Sequence, residues 1–151
     1  MKPIRNSAKA VIIQNKRILL TKNADRDGFF YLFPGGGQEK YEELKDTLVR
    51  ECVEEIGCDV QVKDIMFIRE YIGRNHQFAE WDADVHQMEF YFECEMEPKE
   101  AVSNGCNPDQ AQVGVEWIEL SRLNEIRVYP DSLVKPLMEG IRAPRYLGDT
   151  N

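Results

Sequence analysis

The stretch PGGGQEKYEELKDTLVRECVEEIGC, residues 34–58, decides the fold of this chain. Three consecutive glycines stand between an apolar segment and a helical pattern, so the backbone there can adopt conformations closed to other residues and can approach a ligand closely. The helical pattern runs from about Glu42 to Ile56 and ends at Gly57, because glycine is the usual residue just after a helix C-terminus. The stretch therefore predicts a glycine loop that leads directly into a helix.

Three glutamates, Glu51, Glu54 and Glu55, crowd one side of this helix. At about 100° per residue they cover an arc of about 100° beside the apolar stripe. Like charges at these spacings repel, so a cation is expected among them, and Arg50 alone neutralises only part of their charge. Carboxylates suit Mg²⁺ or Mn²⁺. A solvated acidic face is the alternative, and the preceding glycines favour a metal and phosphate site. The apolar stripe is formed by Leu44, Leu48, Val49, Cys52 and Ile56.

Composition limits the classes of protein that fit. A chain of 151 residues with 42% apolar content predicts one domain over residues 1–151. The net charge of -8 argues against binding to nucleic acid polymers, whose phosphates attract lysine and arginine. Polar residues interrupt the apolar runs of the N-terminus, so no signal peptide or membrane span is expected. The four cysteines lack zinc-site spacing, which favours buried thiols and a cytoplasmic location.

Around the central stretch the pattern is mainly that of strands. The segment 85–96 alternates, with Met88 and Phe90 on one face and Glu89 and Tyr91 on the other, which predicts a half-buried strand. A polar loop is expected at 97–112, and the residues from about 144 are expected to form a loose tail. Further strands are predicted at 8–13, 17–21, 29–33, 60–72 and 113–119, and a last helix within 131–141.

The central stretch resembles the signature of the Nudix (MutT-like) hydrolases, GX5EX7REUXEEXGU, where U is a bulky aliphatic residue. Gly36, Glu42 and the run from Arg50 to Cys58 match all seven fixed positions. A chance match in a chain of this size has a probability on the order of one in a million. The two U positions are cysteines, which pack as small apolar residues. Tyr41 stands where many members have glycine.

The resemblance implies an α/β fold, an α/β/α sandwich with a mixed β-sheet between helices. It implies that Glu51, Glu54, Glu55 and the carbonyl of Gly36 hold Mg²⁺ or Mn²⁺. By the same resemblance Arg50 and Glu42 support the site, together with the helix end at Gly57. The implied reaction is hydrolysis of a nucleoside diphosphate linked to another moiety, and the implied partner is a small nucleotide. Homodimers are common in the family, and no feature of the sequence demonstrates one here.

The catalytic base and the substrate contacts stay open at this level. Family members place the base either in the signature, as Glu51 or Glu54, or on a later loop, where Asp109 is the candidate. Asp109 is also typical of an Asn-Pro-Asp turn. His86 is interpreted as a core or rim residue, with substrate contact as the alternative. The aromatic residues, Tyr31 and Phe33 among them, are candidates for stacking a base, although most of them are expected in the core. The loop 73–84 is the candidate for setting specificity.

Two interpretations of other classes compete with an enzyme. A non-catalytic module that binds a nucleotide would be expected to have lost carboxylates of the signature, yet all are present. A protein that holds a divalent ion for structure alone would not need the glycines. The substrates that remain open are nucleoside triphosphates, ADP-ribose, nucleotide sugars and dinucleoside polyphosphates.

Overall fold

The computed structural model describes residues 1–96, 102, 105, 108–141 and 144–151. The strands are β1 (Arg5–Gln14), β2 (Arg17–Asp25), β3 (Gly28–Leu32), β4 (Gly35–Gly37), β5 (Gln61–Ile72), β6 (His86–Glu95), β7 (Gln112–Glu119), β8 (Val128–Tyr129) and β9 (Arg145–Asp149). The α-helices are α1 (Leu44–Ile56), α2 (Ala79–Asp82) and α3 (Val134–Met138), and 3₁₀ turns cover Gly73–Asn75, Leu120–Glu125 and Asp131–Leu133.

The strands form one mixed sheet in the order β8-β3-β2-β1-β6-β5-β9, with β4 paired to β1 and β7 to β2. β1 runs parallel to β6, β3 to β8 and β5 to β9, and the other pairs are antiparallel. One buried cluster joins Leu48 of α1 to Ala8 of β1, and a second joins Leu137 of α3 to Val11. Helices therefore cover both faces of the sheet, which confirms the predicted α/β/α sandwich.

Helix α1 begins two residues later than the sequence pattern predicts and ends where expected. Glu43 is the N-cap and forms a capping box with Asp46, so each side chain satisfies a backbone N–H of the first turn. Gly57 has φ 70°, and its N–H donates to the carbonyl of Val53 at 3.2 Å. The predicted supporting role of Gly57 thus has a physical basis, because an L-residue would be strained in this conformation.

The buried stripe of α1 differs from the expectation at one position. Val49 is 37% exposed, whereas Glu55 is only 3% exposed. Thr47 is fully buried as well. The helix is thus rotated towards Glu55 relative to the apolar stripe, because β4 packs against its glutamate side. This rotation places a carboxylate inside the protein.

Strand β6 is buried on both faces, so the expectation of a half-buried strand is wrong. Glu89 is 4% exposed and Tyr91 is 1% exposed, although they lie on the face that the alternation assigns to solvent. The reason is Arg69 on the neighbouring β5, whose Nε donates to Glu89 Oε1 at 2.8 Å. A buried carboxylate is tolerated when a buried cation neutralises it.

The C-terminal residues form strand β9, which corrects the expectation of a loose tail from about residue 144. Ile68 pairs with Tyr146 and Glu70 with Asp149 in parallel register. Arg69 also donates to the carbonyl of Thr150 at 2.6 Å. The end of the chain is therefore bound to the β5 edge of the sheet.

Cys52, Cys58 and Cys94 are buried thiols, as expected. Most of the predicted loop 97–112, including Cys106, lies outside the described residues. No helix in the described part of the chain has the length and apolar character needed to cross a membrane.

Candidate active site

The glycine strand β4 lies against the glutamate side of α1. Gly35 has φ 138°, and a Cβ atom there would lie 2.0 Å from the carbonyl oxygen of Ala8. A Cβ atom on Gly36 would lie 2.5 Å from the carboxyl carbon of Glu51. The glycines are therefore required for the close approach of β4 to β1 and to the acidic side of the helix.

Arg50 connects the carboxylates of the site to one another. Its Nε donates to Glu42 Oε2 at 2.8 Å, and its Nη1 donates to Glu51 Oε1 at 2.9 Å. Nη1 also lies 3.5 Å from Glu54 Oε1, and Nη2 donates to the carbonyl of Gly37 at 3.1 Å. The planar guanidinium thus links α1 to Gly37 of β4 and to Glu42, which lies just before the helix.

Glu42 supports Arg50, as the resemblance implies. Hydrogen bonds from Arg50 and then from the backbone of Glu39 lower the pKa of Glu42 to about 2. The hydroxyl of Thr47 donates to the same carboxylate at 3.0 Å. Glu42 is therefore an ionised partner of Arg50, with both carboxylate oxygens engaged in hydrogen bonds.

Glu55 is the most deeply buried of the three signature glutamates. Its Oε1 accepts a hydrogen bond from the backbone N–H of Gly35 at 3.1 Å. Burial raises the pKa of Glu55 to about 8, and the positive charge of Lys9 opposes that rise. A carboxylate in this position would be stabilised by a cation at the open side of β4.

Glu51 and Glu54 are more accessible, with side chains 16% and 28% exposed. Burial raises the pKa of Glu51, and the hydrogen bond and charge of Arg50 act against that rise. The site therefore holds one buried and two accessible carboxylates on successive turns of one helix. The two accessible carboxylates, Glu51 and Glu54, can therefore be reached by an ion from solvent.

The register of β4 bears on the predicted Gly36 carbonyl ligand. Gly36 lies opposite Ala8, and the N–H of Ala10 donates to the carbonyl of Pro34 at 2.8 Å. Hydrogen-bonded pairs recur at every second residue of an antiparallel ladder. The backbone groups of Gly36 therefore point towards β1.

The backbone of Gly35 faces the carboxylates instead. Its N–H donates to Glu55, and its carbonyl accepts a 3.4 Å hydrogen bond from the ammonium of Lys9. This geometry favours Gly35 over Gly36 as the carbonyl ligand of a bound cation.

The residues fit a hard divalent cation by the chemistry of their donors. Oxygen atoms of Glu51, Glu54, Glu55 and Gly35 are the ligand types that Mg²⁺ and Mn²⁺ prefer. Within the part of the chain that the structure describes, no three acidic, histidine or cysteine side chains form a ready-made cage. The positive charges of Arg50 and Lys9 act on these carboxylates, Arg50 through hydrogen bonds and Lys9 through its charge.

Asp109, the loop candidate for the base, is exposed, and its negative charge contributes to the raised pKa of Glu55, of which burial is the largest cause. Its carbonyl accepts a hydrogen bond from the N–H of Gln112 at 2.9 Å, as in a turn. The amide of Gln112 then donates to the carbonyl of Glu55 at 2.8 Å. These contacts fit the turn interpretation of Asp109, and its role as the base stays a prediction.

The three predicted substrate contacts all have partners within the protein. Phe33 is 2% exposed and packs edge-on against Tyr91 at 5.3 Å, so it lies in the core, as expected of most of these aromatic residues. Tyr31 is 7% exposed, and its hydroxyl donates to Glu116 at 3.1 Å. His86 Nε2 lies 3.0 Å from Glu70 Oε1, which agrees with the rim interpretation of this histidine.

The loop 73–84 is closed at its base and reaches across the molecule. The N–H of Gly73 donates to the carbonyl of Val85 at 2.9 Å, and the hydroxyl of Tyr71 donates to Asp82 at 2.8 Å. Phe78 contacts the ring of Tyr129 on β8 at 5.4 Å. Its role in specificity stays a prediction.

Tyr41 has φ 73°, a backbone conformation that an L-residue adopts at a cost of roughly 1 kcal/mol. This explains why glycine suits the same position in the family. The tyrosine side chain is fully exposed and contacts no ligand oxygen of the site.

Sequence reasoning missed Lys9 and the buried pair Arg69–Glu89. Lys9 stands alone as a charge within the apolar run AKAVII, and that isolation is the signal that could have identified it. The pair on β5 and β6 has no local signal, because its partners are far apart in the chain.

Comparison with known proteins agrees with this arrangement. The family model for the NUDIX domain matches residues 3–135. Nucleoside diphosphate-linked moiety X motif 6 of Mus musculus is 27% identical over 111 residues, which are 74% of this chain and 33% of that protein. The Xenopus laevis protein of the same name is 28% identical over 109 residues, 72% of this chain and 46% of that one. The chain spans less than half the length of these relatives.

Solved structures share the fold. An ADP-ribose pyrophosphatase from Streptococcus suis has a TM-score of 0.63 and 20% identity, with 97% of this chain and 98% of that chain covered. A NUDIX hydrolase from Nitrosomonas europaea has a TM-score of 0.71 and 15% identity, with 99% and 80% covered. Because the family model covers most of its length, the chain belongs to the Nudix hydrolase family.

Proposed function

We propose that the protein hydrolyses the pyrophosphate bond of a nucleoside diphosphate linked to another moiety, with Mg²⁺ or Mn²⁺ as cofactor. The observation that carries this proposal is the packing of β4 against α1. It brings the glycine backbone against Glu51 and Glu55, two of the three carboxylates that we assign to the cation. The acidic protein then accepts an anionic substrate because the cation neutralises both.

The roles of the residues follow from their contacts. Glu51, Glu54, Glu55 and the carbonyl of Gly35 would hold the cation. When bound, the cation supplies charge neutralisation at the phosphate oxygens and lowers the pKa of a bound water. Arg50 holds Glu51 and Glu54 in place, and Glu42 holds Arg50.

The reaction itself needs a base and an exposed phosphorus atom. Glu51, Glu54 or Asp109 accepts the proton of the attacking water, whose oxygen bonds to one phosphorus while the bridging oxygen leaves with the other. The more accessible Glu54 suits this task better than the buried Glu55 does.

The substrate belongs to one of four classes: nucleoside triphosphates, ADP-ribose, nucleotide sugars or dinucleoside polyphosphates. Solved structures of similar fold include an ADP-ribose pyrophosphatase and a UDP-X diphosphatase, so ADP-ribose and nucleotide sugars are the classes to test first.

The test is turnover of a panel from all four classes with Mg²⁺ or Mn²⁺, comparing wild type with Glu54→Gln. We expect turnover of at least one class and a loss of at least about 100-fold in kcat for Glu54→Gln, the usual effect of removing a group that acts on the attacking water. Glu39→Gln, an exposed glutamate outside the ligand set, is the matched control and should keep wild-type activity.

Two results would contradict the proposal. Absence of turnover with binding of a nucleotide would favour the alternative, a non-catalytic nucleotide-binding module. Full activity of Glu54→Gln would agree with a hydrolase but refute the assignment of Glu54 to its active site.

A further inference from the structure

The side chain of Lys9 on β1 reaches the backbone of Gly35, the residue whose N–H donates to Glu55. This lysine is half-buried, and its ammonium donates a 3.4 Å hydrogen bond to the carbonyl of Gly35. Within the described part of the chain Lys9 forms no ion pair at 4.0 Å or less. An ammonium group carries three donors, so most of its hydrogen-bonding capacity is available to a ligand.

Carboxylates surround this ammonium on two sides. On the helix side its charge acts on Glu51 and Glu55, against the effect of burial, which raises the pKa of both. On the sheet side is Glu89, where burial acts to raise the pKa and the charges of Lys9 and Arg69 prevail, so that the pKa is about 2. Lys9 is therefore a cation inside an acidic pocket, unlike an ordinary surface lysine.

A divalent cation and the Lys9 ammonium need the same position. The N–H of Gly35 donates to Glu55, and the carbonyl of the same residue accepts the hydrogen bond from Lys9. Two cations at this carbonyl would repel each other strongly, because the electrostatic energy at contact distance is several kcal/mol even at an effective dielectric constant of about 20. Binding of a divalent cation therefore requires the ammonium to move away from Gly35.

A second cation extends the same face of β1. Arg5 lies four residues before Lys9, so both side chains point to one side of the strand. A Cβ atom on Gly37 would lie 2.1 Å from Arg5 Nη2, which places the guanidinium directly over the glycine strand. Arg5 is exposed and has no ion pair with any residue that the structure describes. The strand thus offers two positive charges that both reach β4, Lys9 at Gly35 and Arg5 at Gly37.

We propose that Lys9 is an exchangeable internal counter-ion of the site: it holds the place of the divalent cation at Gly35 and, once displaced, binds a phosphate of the substrate together with Arg5. Ammonium and guanidinium groups form strong, charge-assisted hydrogen bonds with phosphate. The first half of this inference concerns the metal-free protein, and the second half rests on the proposed function.

The test measures two affinities in the same variants. Mn²⁺ alone is titrated by calorimetry, and methylenediphosphonate, a pyrophosphate analogue that cannot be hydrolysed, is titrated at saturating Mg²⁺. For Lys9→Met we expect Mn²⁺ to bind about three- to tenfold tighter, because a competing charge is gone, and the diphosphonate to bind at least about tenfold weaker. Arg5→Met should weaken only the diphosphonate. Lys9→Arg should restore much of its binding, and Lys63→Met, an exposed lysine on β5, is the matched control.

Changes of opposite sign support the inference, because a purely structural role of Lys9 would weaken both ligands together. Parallel losses, or two unchanged affinities, would overturn it. Should Lys9→Met fail to fold, the wild type itself decides: the ¹⁵Nζ signal of Lys9 must shift when Mg²⁺ is added, and an unchanged signal refutes displacement.

The result is separable from the proposed function. Opposite changes in the two affinities without turnover of any nucleotide would keep the role of Lys9 and reject hydrolysis. Turnover that depends on Glu54, with both affinities unchanged in Lys9→Met, would keep hydrolysis and reject the role of Lys9.

Discussion

At the scale of single residues, Gly36 sets the position of Glu51. The carboxyl group of Glu51 lies where a side chain on residue 36 would begin, so the helix and the glycine strand approach each other only because that side chain is absent. The carboxylate is further fixed by Arg50. A methyl group at residue 36 would therefore displace the carboxylate of Glu51 rather than disturb the packing of the core.

Gly36→Ala should displace Glu51 and weaken Mn²⁺ binding at least about tenfold, which corresponds to about 1.4 kcal/mol, while the fold is kept. Calorimetric titration of Mn²⁺ measures the effect, and circular dichroism verifies the fold. Gly114→Ala is the matched control, because a Cβ atom there meets no atom within 4 Å. Equal Mn²⁺ affinity in both variants would show that Glu51 adjusts freely.

At the scale of elements, the helix and its glutamates were predictable, because a contiguous stretch carries the glycines, the apolar stripe and the acidic side. The burial of Glu89 was not, since it depends on Arg69 of another strand. β9 was also missed, because its charged and glycine residues do not alternate and its pairing with β5 is non-local. Long-range pairing of polar residues leaves little trace in the local sequence.

The Arg69–Glu89 pair joins β5 to β6 and predicts a pH-dependent stability. The pKa of Glu89 is lowered to about 2 in the folded protein, so its contribution is complete above the ordinary pKa near 4.5 and is lost as the pH falls from there towards 2. Glu89→Gln should lower the free energy of unfolding by about 3 kcal/mol at pH 7, because Arg69 is left buried without its partner.

Urea unfolding of wild type and Glu89→Gln at pH 7, 5 and 3 measures this contribution. The difference between the two proteins should shrink between pH 5 and pH 3, since the other carboxylates titrate in both and cancel. A difference that stays constant over this range would refute the assigned ionisation of Glu89.

At the scale of the whole molecule, the acidic cluster opposes stability in the metal-free state. The chain carries 27 acidic and 19 basic residues, and Glu55, which is only 3% exposed, lies in the site. Like charges near a buried carboxylate favour unfolding, and a ligand that binds only the folded state offsets this cost. Homodimer formation stays a prediction from the family resemblance.

Glu55→Gln should therefore raise the stability of the protein without added metal by about 0.5–2 kcal/mol at pH 7. Glu55, whose pKa is raised to about 8, must take up a proton on folding, whereas the neutral amide accepts the hydrogen bond from Gly35 without that cost. The same variant should lose the increase in Tm that Mg²⁺ gives to wild type. Thermal unfolding with and without Mg²⁺ measures both effects. A lower Tm of the metal-free variant would mean that the carboxylate is already compensated by protein cations.

The position of β1 in the sheet has a consequence for biosynthesis. β1 carries Lys9 and pairs with β4 on one side, but its parallel partner on the other side is β6, where Arg5 lies opposite Gln87. More than half of the chain must therefore leave the ribosome before β1 can be enclosed, and non-local pairing of this kind is slow. The N-terminal strand waits for its partner, so we expect the acidic site to be assembled late, after the local hairpin of β2 and β3 has formed.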